Sequence, residues 1–460
     1  VSEASAGAIA QAVNSGAARA ADIVTAALAR IAAGNPALNA FTAVVADRAM
    51  ARAAALDAAI SAGKPAGPLA GVPFAVKNLF DIAGLPTRAG AALNGNRAPA
   101  TADAALIQRL EAAGAILVGA LNMGEYAYDF TGENAHDGAS RNPHDPARMS
   151  GGSSGGSAVA VASGMVPLSL ASDTNGSIRV PSALCGIFGL KPTYGRLSRA
   201  GSFPFVGSLD HLGPMARSVD DLALAYDALQ GVDGSDAAQA DRPVAPVGPL
   251  LERGDEGLRV AVAGGYFRAG GWPECLDAVR ICAAALGATR EVELPEAGLA
   301  RAAAYVITAT EGAALHLGRL RTSAKGFDPD TRDRLIAGTM LPAPYVQQAQ
   351  KFRLWYCEQV FRLFDQVDAI LAPSTPCTAP LLGQKTMILD GVEMKVRANL
   401  GIYTQPISFI GLPVAAVPIV RPGRLPVGVQ IITAPWREDV ALRLARALEA
   451  RGVVGVAAPI

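Results

Sequence analysis

The segment SGGSSGGSAVAVASGMVPLSLASDTNGSIRVPSALCGIFGLKPT, residues 150–193, holds two polar, glycine-rich turns joined by an apolar passage. In the first turn Gly151, Gly152, Gly155 and Gly156 flank Ser153 and Ser154. Glycines there allow unusual dihedrals and close backbone approach, and Ser157 to Ser163 can begin a helix. Backbone N–H groups at such a turn can face an anion, which raises a phosphate-cradling loop as one reading. The spacing argues against it: no lysine follows Gly156 as a P-loop needs, and no G-x-G-x-x-G opens a helix with a matching acidic residue. In the second turn Asp173, Thr174, Asn175, Gly176 and Ser177 form a sharp run of small residues whose consecutive N–H groups could converge on one oxygen. Such convergence is what a tetrahedral oxyanion requires, so Ser177 is a nucleophile candidate. An isolated DTNGS would equally suit a turn serine bonded to local backbone.

A serine hydroxyl needs a base, and the usual base is histidine. The chain has four, His136, His144, His211 and His316. None lies in a G-x-S-x-G elbow around Ser177, and no H-E-x-x-H or paired spacing offers a metal-bound water. The histidines therefore read as surface or supporting residues, and no metal is expected. Lysine can serve if it is neutral. At the ordinary pKa of ~10.4 only about one lysine in 2500 is deprotonated at pH 7, but burial can lower that value by ~3 to 5 units. Lys77 follows Phe74, Ala75 and Val76, an apolar run that should plant its amine against the core. A lysine reaching from a strand end to solvent is the alternative for this residue taken alone.

Outward from these turns, the 460 residues are 51% hydrophobic and 17% charged, ample for a large core. Forty basic and forty acidic residues cancel, so no global field favours nucleic acid or an anionic membrane. The five scattered cysteines read as small apolar core residues. The N-terminus has no basic patch before an apolar run, and the apolar stretch Ala158 to Ala171 is broken well short of the ~20 residues of a membrane helix, so a cytoplasmic protein is expected.

One-face spacing of Ile23, Ala27, Leu28 and Ile31 predicts a helix stopped by Gly34 and Pro36, and a second is predicted over about 46–62. A buried strand ends in Lys77, and a helix over 102–114 leads into a strand at 115–119. Ser218 and Asp221 form a capping box for a helix over 222–229. The polar, proline-bearing stretch 231–257 reads as a loop inside one domain, residues 273–365 read as mainly helical, and 414–420 and 427–433 as strands before a final amphipathic helix. This is the alternation of an α/β protein: one domain over 1–460, a single mixed sheet covered by helices on both faces, with a catalytic core at about 65–230.

Taken together, GGSSGGS, D-T-x-G-S-I-R-x-P and G-L-K-P-T closely resemble the marker of the amidase signature family. GPLAGVPFAVKN around Lys77, LAPSTPCTAP at Leu371, GLPVAAVP at Gly411 and LPVGVQII at Leu425 resemble further family landmarks, so the likeness covers nearly the whole chain. The resemblance implies a metal- and cofactor-free amide hydrolase. Ser177 would attack the carbonyl, Ser153 would relay its proton to neutral Lys77, and the peptide entering Ser153 would be cis. It also implies an oxyanion hole on the N–H groups of Thr174, Asn175, Gly176 and Ser177, with Ser154 and Ser172 supporting Lys77 and Ser153.

Two positions depart from the family pattern. Asn175 stands where glycine is common, bringing a side-chain amide to the pocket, and Asn78 replaces a frequent aspartate, removing a charge beside Lys77. Within the family, the run from Asp173 to Gly231 is most similar to enzymes of cyanuric acid breakdown that open a urea-like C–N bond and release ammonia. That likeness implies a small carboxylated amide substrate, an oligomer, and a small partner resembling the C subunit of tRNA-dependent amidotransferases. A carboxylate wants an arginine fork, so Tyr305, Arg319, Arg321 and Arg334 of the helical segment are the binding candidates, while Arg179 is expected to brace its own turn. Competing readings are the A subunit of a glutamine-dependent tRNA amidotransferase, a general aliphatic or aryl amidase, and a scaffold that has lost catalysis.

Overall fold

The computed structural model describes residues 4–456. Its organising element is an eleven-stranded mixed sheet. From one edge to the other the strands are Phe41–Val44, Ile116–Leu121, Pro73–Lys77, Leu168–Asp173, His211–Ala216, Phe188–Lys191, Val414–Pro418, Gly428–Thr433, Ala369–Pro373, Val260–Ala263 and Arg290–Val292. The first half of the chain and its last third thus share one sheet, joined where Val414–Pro418 pairs antiparallel with Phe188–Lys191. Every residue of the strands Pro73–Lys77, Ile116–Leu121 and Leu168–Asp173 is buried. Since successive side chains point to opposite faces, complete burial means that helices cover both sides. The expected α/β architecture is therefore the one the chain adopts.

The helix Val219–Leu229 starts at Ser218, whose hydroxyl accepts the Asp221 N–H at 3.1 Å, as the capping signal predicts. The first long helix runs further than expected. Ala20–Leu38 continues through Gly34 and Pro36 although the proline gives up one ladder N–H, and Asn39 in the left-handed region ends it. The Asn35 side chain accepts the Phe41 N–H at 2.7 Å and fixes the exit. The strand His211–Ala216 carries Gly213 and Pro214, which masked it in the sequence. Its ladder to Phe188–Lys191 pairs only Met215 and Ala216, so Pro214 sits where that ladder has ended. The stretch 231–257 forms one 3-10 segment, Gly248–Arg253, and otherwise connects. Residues 273–365 are mainly helical, as expected, interrupted by the strand Arg290–Val292. Among the described residues no helix is long and apolar enough to cross a membrane.

Two parallel neighbours set up the site. Pro73–Lys77 and Leu168–Asp173 run side by side, with Val76 opposite Leu170. Their carboxyl ends therefore present Lys77 and the Ser172–Asp173 pair at one edge of the core, the location where open α/β sheets bind ligands.

Candidate active site

Lys77 is fully buried, and its Nζ lies 2.7 Å from Ser153 Oγ, 2.9 Å from Ser154 Oγ and 2.8 Å from Ser172 Oγ. Among the described residues no carboxylate makes a salt bridge with it. Burial pushes its pKa from 10.5 down to about 7, against the weaker opposing pull of Asp173, Asp210 and Asp129. The hydroxyls can accommodate the neutral amine. Ser154 donates to the Ser172 carbonyl at 3.1 Å, so towards Lys77 it can only accept. A neutral lysine then donates to Ser154 and Ser172 and keeps its lone pair for the Ser153 O–H.

Ser153 and Ser154 sit just before the helix Gly155–Ala162, and the Gly152–Ser153 peptide is cis. Gly156 lets this turn lie against the sheet edge: a Cβ there would stand 2.5 Å from the Ala40 oxygen and from the Asn122 nitrogen. That contact explains a conspicuous glycine of the sequence motif by packing.

The second turn is held from below. Arg179, fully buried, meets Asp173 through Nε at 2.9 Å and Nη2 at 3.0 Å, and reaches Thr404 O at 3.1 Å, Gln430 Oε1 at 2.7 Å and the Ser408 hydroxyl. Burial alone would raise the Asp173 pKa, but the Arg179 cation, with Lys191 and His211, outweighs it and holds the carboxyl well below the usual range. Arg179 is thus the brace expected from the sequence. The Thr174 hydroxyl donates to Asp210 at 2.6 Å, and the Thr404 hydroxyl donates to the Asn175 carbonyl at 2.7 Å. Gly176 has φ +142°, and a Cβ there would stand 2.1 Å from Thr404 Oγ1, so only glycine fits. None of the loop hydrogen bonds among the described residues is donated by the N–H of Asn175, Gly176 or Ser177. Those donors remain free for an incoming oxygen. Ser177 lines a narrow cavity together with Asn175, Tyr305 and Thr308, and no hydrogen bond joins its side chain to Ser153.

Of the residues proposed to bind a carboxylate, Tyr305 and Arg334 line that cavity. The Arg334 guanidinium lies 3.8 Å from the centre of the Tyr128 ring and donates to the Tyr128 carbonyl. Arg319 and Arg321 do not reach it. Arg319 is taken up by Asn94 at 2.6 Å and Tyr126 Oη at 3.0 Å, and Arg321 is exposed on the same helix, Ala297–Ser323. The helical period turns Arg321 away from the face that carries Tyr305 and Thr308, whereas Arg319 shares that face but lies roughly 21 Å further along the helix axis.

Residues 22–442 of the chain match the family profile described as Amidase. The chain belongs to the amidase family. Among curated relatives, this amidase is 50% identical over 448 residues to AtzE of Pseudomonas sp. (strain ADP), a subunit of 1-carboxybiuret hydrolase, covering 97% of this chain and 98% of the relative. It is 38% identical to the A subunit of the glutamyl-tRNA(Gln) amidotransferase of Roseiflexus sp. (strain RS-1), over 93% of this chain and 92% of that one. Among solved structures it is similar, with TM-score 0.96 and 49% identity, to a chain of a vestigial protein complex described as revealing the evolutionary origins of an s-triazine catabolic enzyme; 98% of this chain and 99% of that one align. A bacterial aryl acylamidase of the amidase signature family aligns with TM-score 0.89 and 25% identity, over 98% and 96%.

Several cavity residues of this amidase carry no signal in the sequence. Tyr128 is buried with its hydroxyl unpartnered, and burial raises its pKa to about 12. Arg397 comes from beyond the helical segment and pairs with Asp129 at 2.5 Å and Asp330 at 3.1 Å, with Glu133 at 3.7 Å. Thr308 accepts the Asn175 Nδ2–H at 2.9 Å. These residues come from three separate stretches of chain, and no local spacing marks them as neighbours. Asn78, in place of the family's frequent aspartate, accepts the Gly90 N–H at 2.9 Å and so closes the loop after the lysine.

The histidines of this amidase are more buried than expected, His144, His211 and His316 lying inside the protein and His136 half-buried against Glu125 at 3.0 Å. His211 is occupied by the Asp173 and Leu209 carbonyls, at 3.1 Å and 2.6 Å, and is a support for the second turn.

Proposed function

We propose that this amidase hydrolyses the terminal C–N bond of a small carboxylated ureide, 1-carboxybiuret being the best candidate, and that Ser177, Ser153 and Lys77 perform the chemistry. The observation that carries the mechanism is the buried Lys77 amine, pKa about 7, ringed by three hydroxyls of which Ser154 can only take its protons. The substrate reading is supported by the identity of 50% to a protein of 1-carboxybiuret hydrolase, against 38% to the amidotransferase relative.

In this reading Ser177 Oγ attacks the carbonyl carbon as its proton passes to Ser153 and the Ser153 proton passes to the Lys77 lone pair. The Ser177 to Ser153 hydrogen bond forms with substrate in place, as catalytic hydrogen bonds commonly tighten on binding. The carbonyl oxygen, now negative, is met by the N–H groups of Thr174, Asn175, Gly176 and Ser177. Collapse breaks the C–N bond and the relayed proton returns to the departing nitrogen, which leaves as ammonia. Water then cleaves the acyl-serine by the same relay. The balance is R–NH–CO–NH₂ + H₂O → R–NH–COOH + NH₃.

Tyr305 and Arg334, which line the cavity with Ser177, are proposed to hold the carboxylate. The whole chain is proposed to work as one catalytic domain. A small partner, resembling the C subunit of the amidotransferases, fits both the relative's place in a multi-chain hydrolase and the solved complex.

The test is ammonia release from 1-carboxybiuret, biuret, glutamine, and simple aliphatic and aryl amides. A preference for carboxybiuret supports the reading. Glutamine turnover that depends on a kinase-like partner would instead assign the amidotransferase role.

A further inference from the structure

We infer that the Asn175 side chain reads the N–H on the acyl side of the scissile carbonyl, making this residue the discriminator between ureides and ordinary carboxamides. The inference rests on the ureide reading above and names the group that enforces it.

Asn175 is 7% exposed, and its amide is split between two tasks. Nδ2 donates to Thr308 Oγ1 at 2.9 Å, which leaves Oδ1 as the other arm of the carboxamide. Oδ1 is buried, has no hydrogen-bond partner in the protein, and belongs to a residue that lines the cavity together with Ser177. Native proteins rarely leave a buried carbonyl oxygen without a donor, and on this proposal the ligand supplies it. The backbone of this residue cannot swing the oxygen away, because Thr404 Oγ1 holds its carbonyl at 2.7 Å.

The side of the substrate follows from the relay. The departing nitrogen must face Ser153 and Lys77, neither of which lines the cavity, whereas Asn175 is tied to Thr308, which does. Its oxygen therefore meets the atom attached to the other side of the carbonyl. In R–NH–CO–NH₂ that atom carries a proton to donate. In R–CH₂–CO–NH₂ it is a methylene that leaves Oδ1 desolvated and unpaired. Sites that bury a polar group against a substrate N–H or O–H reject the analogue lacking it far more strongly than apolar pockets reject a size change.

Biuret and malonamide isolate this difference, since they differ only in NH against CH₂ between the two carbonyls. The experiment measures kcat/KM for ammonia release from both, with the wild type, Asn175→Ala and Asn175→Asp, each checked for a native melting transition. The wild type is expected to prefer biuret. Asn175→Ala is expected to reduce the biuret/malonamide ratio roughly 10- to 100-fold, and Asn175→Asp, which keeps an oxygen acceptor, to preserve the ratio even where both rates fall. Equal losses on both substrates in Asn175→Ala, or a collapsed ratio in Asn175→Asp, overturn the inference while leaving the ureide reading intact. A wild type that prefers malonamide overturns both, and is recognisable before any variant is made.

Discussion

Acidifying the medium should titrate the reaction through Lys77. Burial lowers that amine from 10.5 to about 7, against the weaker opposing pull of Asp173, Asp210 and Asp129. If the neutral amine is the base, the competent fraction is about a tenth at pH 6, half at pH 7 and nine-tenths at pH 8. With biuret, which does not ionise over this range, kcat/KM for ammonia release should rise about tenfold between pH 6 and 8 and then level. An unshifted lysine would give a rate still climbing tenfold per unit at pH 9. A cationic Lys77 that merely orients Ser153 would give a flat profile from pH 6 to 8. Either outcome refutes the argument from burial.

Ser177→Ala should lower amide turnover by roughly 10⁴-fold or more with the melting temperature nearly unchanged, and near-normal turnover would discard the proposed nucleophile. Asp173→Asn strips the countercharge from the buried Arg179, so chemical denaturation should show a loss of about 3–5 kcal/mol; a change under ~1 kcal/mol would mean that the pair is not what holds the turn. Glu125 is raised from 4.5 to about 7, by burial above all, against the Asp328 N–H and His136. Its folded state binds more protons than the unfolded chain between those values, so its contribution is complete below pH ~4.5 and lost as pH rises through about 7. Melting temperatures of Glu125→Gln should accordingly fall less from pH 5 to 7 than those of the wild type, and parallel curves would reject that assignment.

The legibility of this protein in its sequence follows a physical division. Two polar, glycine-rich turns are local features, so Ser153 and Ser177 with their glycines stand out in the sequence, and the run Phe74–Val76 gave the buried strand that carries Lys77. Capping at Ser218 and the last two strands were legible for the same reason. Strands such as His211–Ala216 were not, because a glycine and a proline sit where a ladder ends only in three dimensions. The cavity wall was the least legible part. Arg319 and Arg334 look alike as residues, yet one is consumed by Asn94 and Tyr126 while the other lines the cavity beside Ser177. Arg397 and Tyr128 join that wall from distant parts of the sequence, brought together by folding that no short-range pattern records.

The reach of Arg179 has a consequence for how the enzyme comes into being. Its fork grips Thr404, Ser408 and Gln430 as well as its own turn, so the loop bearing Ser177 is complete only when the final strands have docked. A chain made only as far as Ser177 holds the hydroxyls of both turns before it can fix their positions. Such an enzyme stays silent until the segment through Gln430 has been made and docked, and excising its middle third would yield the ingredients of a hydrolase without a hydrolase.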